Sequence, residues 1–202
     1  GGSERIRRVI NKMVSEEDLI RTVSEAFGQG WRQVKLYFMC GLPTETDEDV
    51  LEIAGMAHRV IKAGRAAAGH NDVRATISIG GFVPKPHTPF QWFGQNTTSE
   101  LRRKVQLVRD ASQRAKGVNV KWHDPAATLA EGISSRGDRR IGNVLERVWR
   151  DGGVFQEWSE FFRLSRWEEA MAAEGLSVDW YVHRHRDEHE VLPWDHLSAG
   201  LH

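Results

Sequence analysis

Apolar and polar positions follow one another in a regular order of helical and strand-like segments over the first 122 residues. Helical spacing of apolar side chains from Ser15 to Gly30 predicts an amphipathic helix, with Ser15 as its N-cap and Gly30 as its stop. The apolar run at residues 34–40 is too short for a helix and rich in strand formers. It predicts a buried strand.

The same alternation repeats twice more. A helix capped by Thr44 or Thr46 is predicted to end at Gly64, and a second strand is predicted at residues 73–79. The pair Gly80–Gly81 is predicted to interrupt that strand. A third helix from Thr98 or Ser99 and a third strand at 118–122 follow. Strands that alternate with helices in this way indicate a parallel sheet with helices packed outside it.

The pattern changes after residue 122. Three prolines within residues 84–89 exclude a helix there, and short helices are predicted at 126–133, 139–150 and 165–174. We therefore predict an α/β domain at residues 1–122 and an α-rich extension at 123–202.

Charge is balanced overall but uneven along the chain. Lys plus Arg and Asp plus Glu each number 28, so net charge does not indicate a polyanionic partner. Residues 102–116 nevertheless hold six basic side chains and one acid, and residues 136–150 hold five and two. The first interpretation is two solvated helix faces, and the alternative is a local surface that contacts RNA.

Cysteine content and hydropathy limit the classes of protein. The single cysteine, Cys40, excludes a disulfide framework within the chain and cannot alone provide three or four thiolates to an iron–sulfur cluster. We interpret it as a small buried apolar residue. No apolar run approaches the roughly 20 residues that span a bilayer, and we expect no signal peptide. We expect a cytoplasmic protein without a membrane partner.

Two segments lie where parallel α/β folds bind ligands, at the carboxyl ends of strands. In residues 39–46, Gly41 permits close backbone approach, and the next helix presents its N-terminus. In residues 79–90, adjacent glycines expose backbone to which a flat ring such as adenine could bond, and Lys85 and His87 could reach a substrate. The alternatives are an ordinary strand-to-helix turn and a rigid surface loop.

These segments resemble parts of radical S-adenosylmethionine enzymes. Residues 35–46, KLYFMCGLPTET, resemble the fifth strand and following turn of that family, and residues 77–90 resemble its sixth strand and exit loop. Residues 1–12 are similar to the segment after the fourth strand. Residues 132–140 and 192–196 are similar to the extension of a poorly characterised subgroup with a cobalamin-binding-like domain in front.

The resemblance implies a fold, a reaction and a set of cofactors. The fold is the C-terminal portion of a partial (β/α)6 TIM-like barrel followed by an α-rich extension. The reaction begins when a [4Fe–4S] cluster, held by a C-x3-C-x2-C loop, reduces S-adenosylmethionine to a 5′-deoxyadenosyl radical. That loop is absent from this sequence. We therefore expect a fragment, inactive alone, whose cluster is held by an upstream part of the same polypeptide. Cobalamin is a candidate further cofactor, and the sequence leaves its use open.

The resemblance also implies which residues bind the cofactor. Ser3 would lie near the ribose or methionine of S-adenosylmethionine, Gly41 and Leu42 would flank its adenine, and Phe82 and Val83 would offer backbone hydrogen bonds to it. The substrate and the catalytic residues are unknown. An isolated fragment of a barrel is expected to expose an apolar edge and to associate.

Two other functions stay open. The chain would be a non-catalytic binding or scaffold module that contacts RNA, or a different parallel α/β enzyme that binds a phosphorylated ligand after Gly41.

Three further groups of polar residues have two interpretations each. Three histidines and an aspartate would share one face of a strand and bind zinc, although a solvated segment is favoured. The pair Asp195–His196 is an acid/base pair or a structural hydrogen bond. Residues 136–140 clamp an anion or form salt bridges. The zinc ligands would be His183, His185, Asp187 and His189.

Overall fold

The computed structural model describes residues 1–198 and residue 200. Its strands are β1 (Gln33–Cys40), β2 (Arg74–Gly81) and β3 (Val118–Trp122). Its helices are α1 (Glu4–Val9), α2 (Glu16–Gly28), α3 (Asp47–Ala68), α4 (Thr98–Ser112), α5 (Pro125–Arg136), α6 (Ile141–Arg150) and α7 (Leu164–Ala173), and a π-helical turn follows at Asp179–His183. No helix within the described residues is long and apolar enough to cross a membrane.

The chain forms two compact units. The first consists of residues 1–81 and 99–123, and the second consists of residues 82–98 together with the described residues from 124 onward. The segment 82–98 therefore packs with the later helices. The domain assignment that the family resemblance implies, with its boundary after residue 122, stays a prediction.

The first unit contains a three-stranded parallel sheet in the order β1-β2-β3. Tyr37 pairs with Ser78, and Ser78 pairs with Lys121. The predicted α/β class and the alternation of parallel strands with helices are confirmed.

One face of the sheet carries the apolar core of the first unit. Alternate residues of the three strands point to this face and pack against α2, α3 and α4, which removes them from water. The side chains buried there include Leu36, Cys40, Ile77, Ile79, Ile53, Ala57, Leu101 and Val108.

The other face of the sheet is polar, and here the prediction of a buried first strand is wrong in part. Lys35 and Tyr37 of β1 lie on this face, and the Tyr37 side chain is 69% exposed. The register places them beside Thr76 and Ser78 of β2. The strand is therefore buried on one face only, although strands of parallel sheets are usually covered on both.

Helix α3 continues past its predicted end. Gly64 lies within the helix, which ends at Ala68 with Gly69 in the left-handed conformation, φ 71°. A Cβ at Gly64 would lie 2.5 Å from a ring carbon of Phe27 and 2.9 Å from a methyl of Val73. Gly64 allows α2 and the residue before β2 to approach α3 closely and does not stop the helix.

The interruption predicted at Gly80–Gly81 is also wrong, because β2 extends through both glycines. Gly80 pairs with Met39 and Gly81 pairs with Cys40. The ladder bonds of the parallel pair use the backbone, so they do not need side chains at these positions.

Local capping rules predict helix starts correctly. The Ser15 side chain accepts a hydrogen bond from the Asp18 N–H, and Thr46 forms a capping box with Asp49. Gly30 adopts φ 92° just after α2. Helix α1 was not predicted, because its six residues are too few for a clear apolar period.

The second unit has its own apolar core among α5, α6, α7 and the π-helical turn, with the predicted short helices present to within a few residues. Residues 180–182, which have strand character in the sequence, belong to the π-helical turn. The side chains buried there include Ile133, Val144, Trp167, Met171 and Val182.

We predict that Gly64→Ala lowers the free energy of unfolding by about 1–3 kcal/mol, because the added methyl overlaps Phe27 and Val73. Urea unfolding of the chain would measure the change. Gly28→Ala is the matched control, since its Cβ would meet only one backbone oxygen at 4.0 Å. Equal unfolding midpoints for the two variants would contradict the close-packing role.

Candidate functional site

The turn after β1 is organised around a buried carboxylate. Glu45 Oε2 accepts a hydrogen bond from the Gly41 N–H at 2.6 Å and from Lys104 Nζ of α4 at 3.0 Å. The Glu45 side chain is 0% exposed and that of Lys104 is 6% exposed. A charge taken so completely from water requires a partner, so the two side chains fix the turn to α4.

This arrangement bears on the phosphorylated-ligand alternative. The Gly41 amide, which a phosphate would need, already donates to Glu45, and the adjacent carboxylate would repel an anion. Glu45 Oε1 is buried and has no hydrogen-bond partner among the described residues. The turn can therefore accept a hydrogen bond at Glu45 Oε1, but it has no free Gly41 N–H to donate to a phosphate.

Cys40 is buried at the end of β1, as predicted. It is 1% exposed, and burial, together with the charge of Glu45, raises the pKa of its thiol to about 12. A thiol with such a pKa stays protonated near neutral pH, and the thiolate is the nucleophile and metal ligand. Cys40 is therefore a packing residue.

Ser3 joins the first residues of the chain to α3. Its Oγ donates to Asp49 Oδ1 at 2.5 Å and accepts from the Ile6 N–H at 3.1 Å as the N-cap of α1. Arg5 forms an ion pair with Asp49 and donates to the Thr44 carbonyl at 2.6 Å. Through these bonds Ser3 and the turn after Gly41, two parts of the predicted cofactor site, are held in one network.

Asp49 is the centre of that network. Burial alone would raise the pKa of Asp49, but hydrogen bonds from Arg5, Ser3 and Thr46 more than offset this effect and hold the pKa well below its usual range. Arg5 also holds Thr44 in a left-handed conformation, φ 65°, which a β-branched residue rarely adopts. The turn is thus kept in a strained shape by charged contacts.

Gly41 and Leu42 are buried beside this network. Gly41 has φ 82°, which favours glycine, and Leu42 is 4% exposed. A Cβ at Gly1 would lie 3.4 Å from a Leu42 methyl, so Leu42 packs against the start of the chain.

The polar face of the sheet is the part of the site that sequence reasoning missed. Lys35 Nζ lies 4.6 Å from the Tyr37 ring centroid, and Gln33 Nε2 donates to Thr76 Oγ1 at 3.1 Å. Asn119 and Lys121 continue the face on β3. Alternation of polar and apolar residues along β1 and β2 is the pattern that would have predicted it.

Phe82 and Val83, the other predicted cofactor residues, belong to the second unit, and both side chains are buried. The Phe82 ring packs edge-to-face on Phe90, with centroids 5.9 Å apart. In the same loop, His87 has φ 56° and its N–H donates to Gln91 Oε1 at 3.0 Å. The loop after β2 is therefore firmly packed by its aromatic rings and internal bonds.

Lys85 was predicted to reach a substrate. Its Nζ lies 2.5 Å from Glu131 Oε1 and 2.9 Å from Ser135 Oγ, both on α5. The amine is about half exposed, so it keeps contact with solvent while it is paired.

The histidine-rich segment does not form a metal centre in the described part of the chain, where no group of three suitable ligands occurs. His183 belongs to the π-helical turn, and its Nδ1 lies 2.9 Å from the Gln95 carbonyl oxygen. His185 packs against Phe93. Asp187 and His189 are exposed, as expected of a solvated segment.

Two arginines of the predicted anion clamp have structural partners. Arg136 is fully buried and donates to backbone carbonyls of Tyr181, Phe93 and Arg184. Burial and two neighbouring arginines lower its pKa to about 10. Arg140 pairs with Asp138 at 2.6 Å, the salt bridge that the sequence left as one alternative.

Asp195 also has a structural partner. Its Oδ2 accepts from the Leu192 N–H at 2.7 Å, the structural hydrogen bond that the sequence left as one alternative.

Comparison with known proteins identifies one informative relative. The chain is 32% identical over 145 residues, 72% of its length, to an uncharacterised protein of Methanocaldococcus jannaschii. The match spans 30% of that protein's own length. No protein-family model and no solved structure matches the chain.

We predict that Lys104→Met lowers the free energy of unfolding by about 3–5 kcal/mol, because Glu45 is left as a buried charge without its partner. The double variant Lys104→Met/Glu45→Gln should recover most of this loss, since a neutral amide still accepts from the Gly41 N–H. Denaturant unfolding measures both.

The matched control is Arg103→Met, on the same helix, whose exposed pairs with Asp47 and Glu100 are solvated. It should change the unfolding midpoint far less. If the double variant were as unstable as Lys104→Met, the charge of Glu45 would not be the cause.

We predict that Asp49 makes stability depend on acid pH. Its pKa is depressed in the folded state, so its contribution is present above the unfolded-state pKa of about 4 and is lost as pH falls below it. Asp49→Asn should lower the free energy of unfolding by about 1–3 kcal/mol at pH 7 and flatten its decline between about pH 5 and pH 2. Urea titrations across that range measure it, and parallel curves for the two proteins would refute it.

Proposed function

We propose that this chain is part of a radical S-adenosylmethionine enzyme, as the C-terminal portion of a partial (β/α)6 barrel with an α-rich extension. The observation that carries the proposal is the KLYFMCGLPTET segment at residues 35–46. Its turn follows the carboxyl end of β1 in a parallel sheet, the position at which parallel α/β folds bind ligands.

The unpaired outer edges of the sheet support this proposal. Within the described residues, β1 and β3 each pair with β2 alone, and parallel sheets usually continue until their edges are protected. A cleft of about 470 Å³ runs along β1 and is lined by Leu36, Phe38 and Met56 among others. Further strands of a barrel would cover this edge and would enclose the polar face that Tyr37 and Ser78 share.

The chain's residues fit S-adenosylmethionine in a limited way. The Ser3 hydroxyl donates its proton to Asp49, and its oxygen accepts one hydrogen bond from the Ile6 N–H. A hydroxyl oxygen has two lone pairs, so one remains to accept a hydrogen bond from a ribose hydroxyl. Gly41 and Leu42 offer an apolar turn of fixed shape for an adenine ring. Phe82 and Val83, after β2, would supply backbone groups.

The residues of this chain do not fit the iron–sulfur cluster. The cluster needs three thiolates, and the one thiol present, Cys40, is buried with a raised pKa. S-adenosylmethionine and the cluster, when bound, supply hydrogen-atom abstraction. This chain would orient the adenosine and exclude water from it. The match to about a third of a longer relative is compatible with cluster ligands elsewhere in a polypeptide.

The first test is the reading frame that contains this chain, which should encode a C-x3-C-x2-C loop upstream. The full polypeptide, purified and reconstituted without oxygen, should then release 5′-deoxyadenosine from S-adenosylmethionine. Absence of the three cysteines, or no 5′-deoxyadenosine from a protein with an intact cluster, would contradict the proposal.

We further predict that Ser3→Ala in the full polypeptide raises the KM for S-adenosylmethionine about five- to tenfold, the effect of removing one hydrogen bond. Thr46→Ala is the matched control, because Thr46 also caps a helix and also donates a hydrogen bond to Asp49. An unchanged KM in both variants, or an equal increase in both, would remove Ser3 from the cofactor site.

A further inference from the structure

A basic groove lies in the first unit between the second half of α3 and the segment after α4. Its volume is about 570 Å³, and its floor is formed by Ile61 and Ala115. Its walls consist of five basic side chains, namely His58, Lys62, Arg65, Arg114 and Lys116.

Helical spacing and one backbone bond hold these basic side chains together. His58, Lys62 and Arg65 recur at positions i, i+4 and i+7 of α3, so they share one face of the helix. Arg65 Nη2 donates to the Lys116 carbonyl at 2.7 Å and ties this face to the segment after α4. The two walls of the groove are therefore fixed relative to each other.

The positive charge of the groove is not neutralised by the described part of the chain. No acidic residue lines it, and none of Lys62, Arg114 and Lys116 forms an ion pair with a described carboxylate. Arg59 and Arg103, elsewhere on the same two helices, do have acidic partners. The dipole of α3 favours a basic residue in its last turn, where Arg65 lies. His58 and Lys62 lie before that turn, so the dipole does not explain why basic residues occupy their positions.

We propose that this groove binds the phosphodiester backbone of a single-stranded nucleic acid. Its cations are mostly exposed and are spread along two walls, as a chain of phosphates requires, whereas a site for one small phosphate ester would gather buried donors around a point. Helix α4 also carries Arg109, which lies 4.8 Å from the ring centroid of Trp122. Trp122 lies at the opposite end of β3 from the groove and is 43% exposed, so a strand that continues along β3 can stack a base on the ring face that Arg109 does not cover.

The inference goes beyond the proposed radical chemistry and does not depend on it. Binding of a strand by the chain is measured without cluster or S-adenosylmethionine, so failure of one proposal leaves the other in place.

The experiment uses the full 202-residue chain and a fluorescein-labelled uridine oligonucleotide of about ten nucleotides, with anisotropy recorded over a range of salt concentrations. Lys62→Gln/Arg114→Gln should weaken binding at least tenfold at low salt. The slope of log K against log salt should fall by about 1.4, since each phosphate that is no longer neutralised reduces it by about 0.7. Both side chains are exposed, so circular dichroism and the unfolding midpoint should stay unchanged.

The matched control is Arg163→Gln/Arg166→Gln, which removes the same charge from positions of the second unit outside the basic stretches of the sequence. It should bind like the unaltered chain. Equally weakened binding in both double variants would mean general attraction to a polyanion and would overturn the proposal. The same conclusion follows if the unaltered chain does not bind at low salt, or if polyglutamate, inorganic phosphate or a duplex of equal charge displaces the strand equally well.

Discussion

The buried ion pair between Glu45 and Lys104 is the interaction on which the first unit depends. It joins the end of β1, the start of α3 and the middle of α4 through one carboxylate, with the Gly41 amide as a third partner. Because a buried charge is tolerated only in good geometry, the pair restricts the path of the turn as well as holding it. The same carboxylate makes the turn unsuitable for phosphate, and it adds to burial in raising the pKa of the Cys40 thiol.

Asp49 extends this electrostatic framework to the start of the chain. It completes the capping box of α3, and it also accepts from Ser3 and pairs with Arg5. One buried carboxylate thus stabilises a helix end and orients the serine that the family resemblance assigns to the cofactor. A structural role for Ser3 and a binding role are compatible, because its oxygen has two lone pairs and only one is used within the chain.

Local rules predict most of this fold, and the failures have a common cause. Periodicity locates all three strands of the described sheet, and side-chain capping locates the starts at Ser15 and Thr46. Gly64 was misread as a stop because its role depends on Phe27 and Val73, which meet it only in the folded chain. In the candidate site, the turn after β1 was predicted, but its partner Lys104 lies 59 residues from Glu45, a separation that no local pattern encodes. The polar face was overlooked because an apolar run was taken as buried on both sides.

The length of α3 separates the turn proposed to bind the cofactor from the groove proposed to bind a nucleic acid. The helix begins at the strained turn, where every described cation of the network has a carboxylate partner, and it ends beside the groove, where Lys62 has none. Lys62 follows Asp49 by 13 residues, which corresponds to about 20 Å along the helix. At that distance, well beyond the Debye length of about 8 Å in physiological salt, the two charge clusters hardly influence each other. A strand held in the groove would therefore leave the electrostatics of the turn unchanged, and a cofactor at the turn would leave the groove free to bind. A zero net charge overall is compatible with both functions, because each depends on the local pairing of charges.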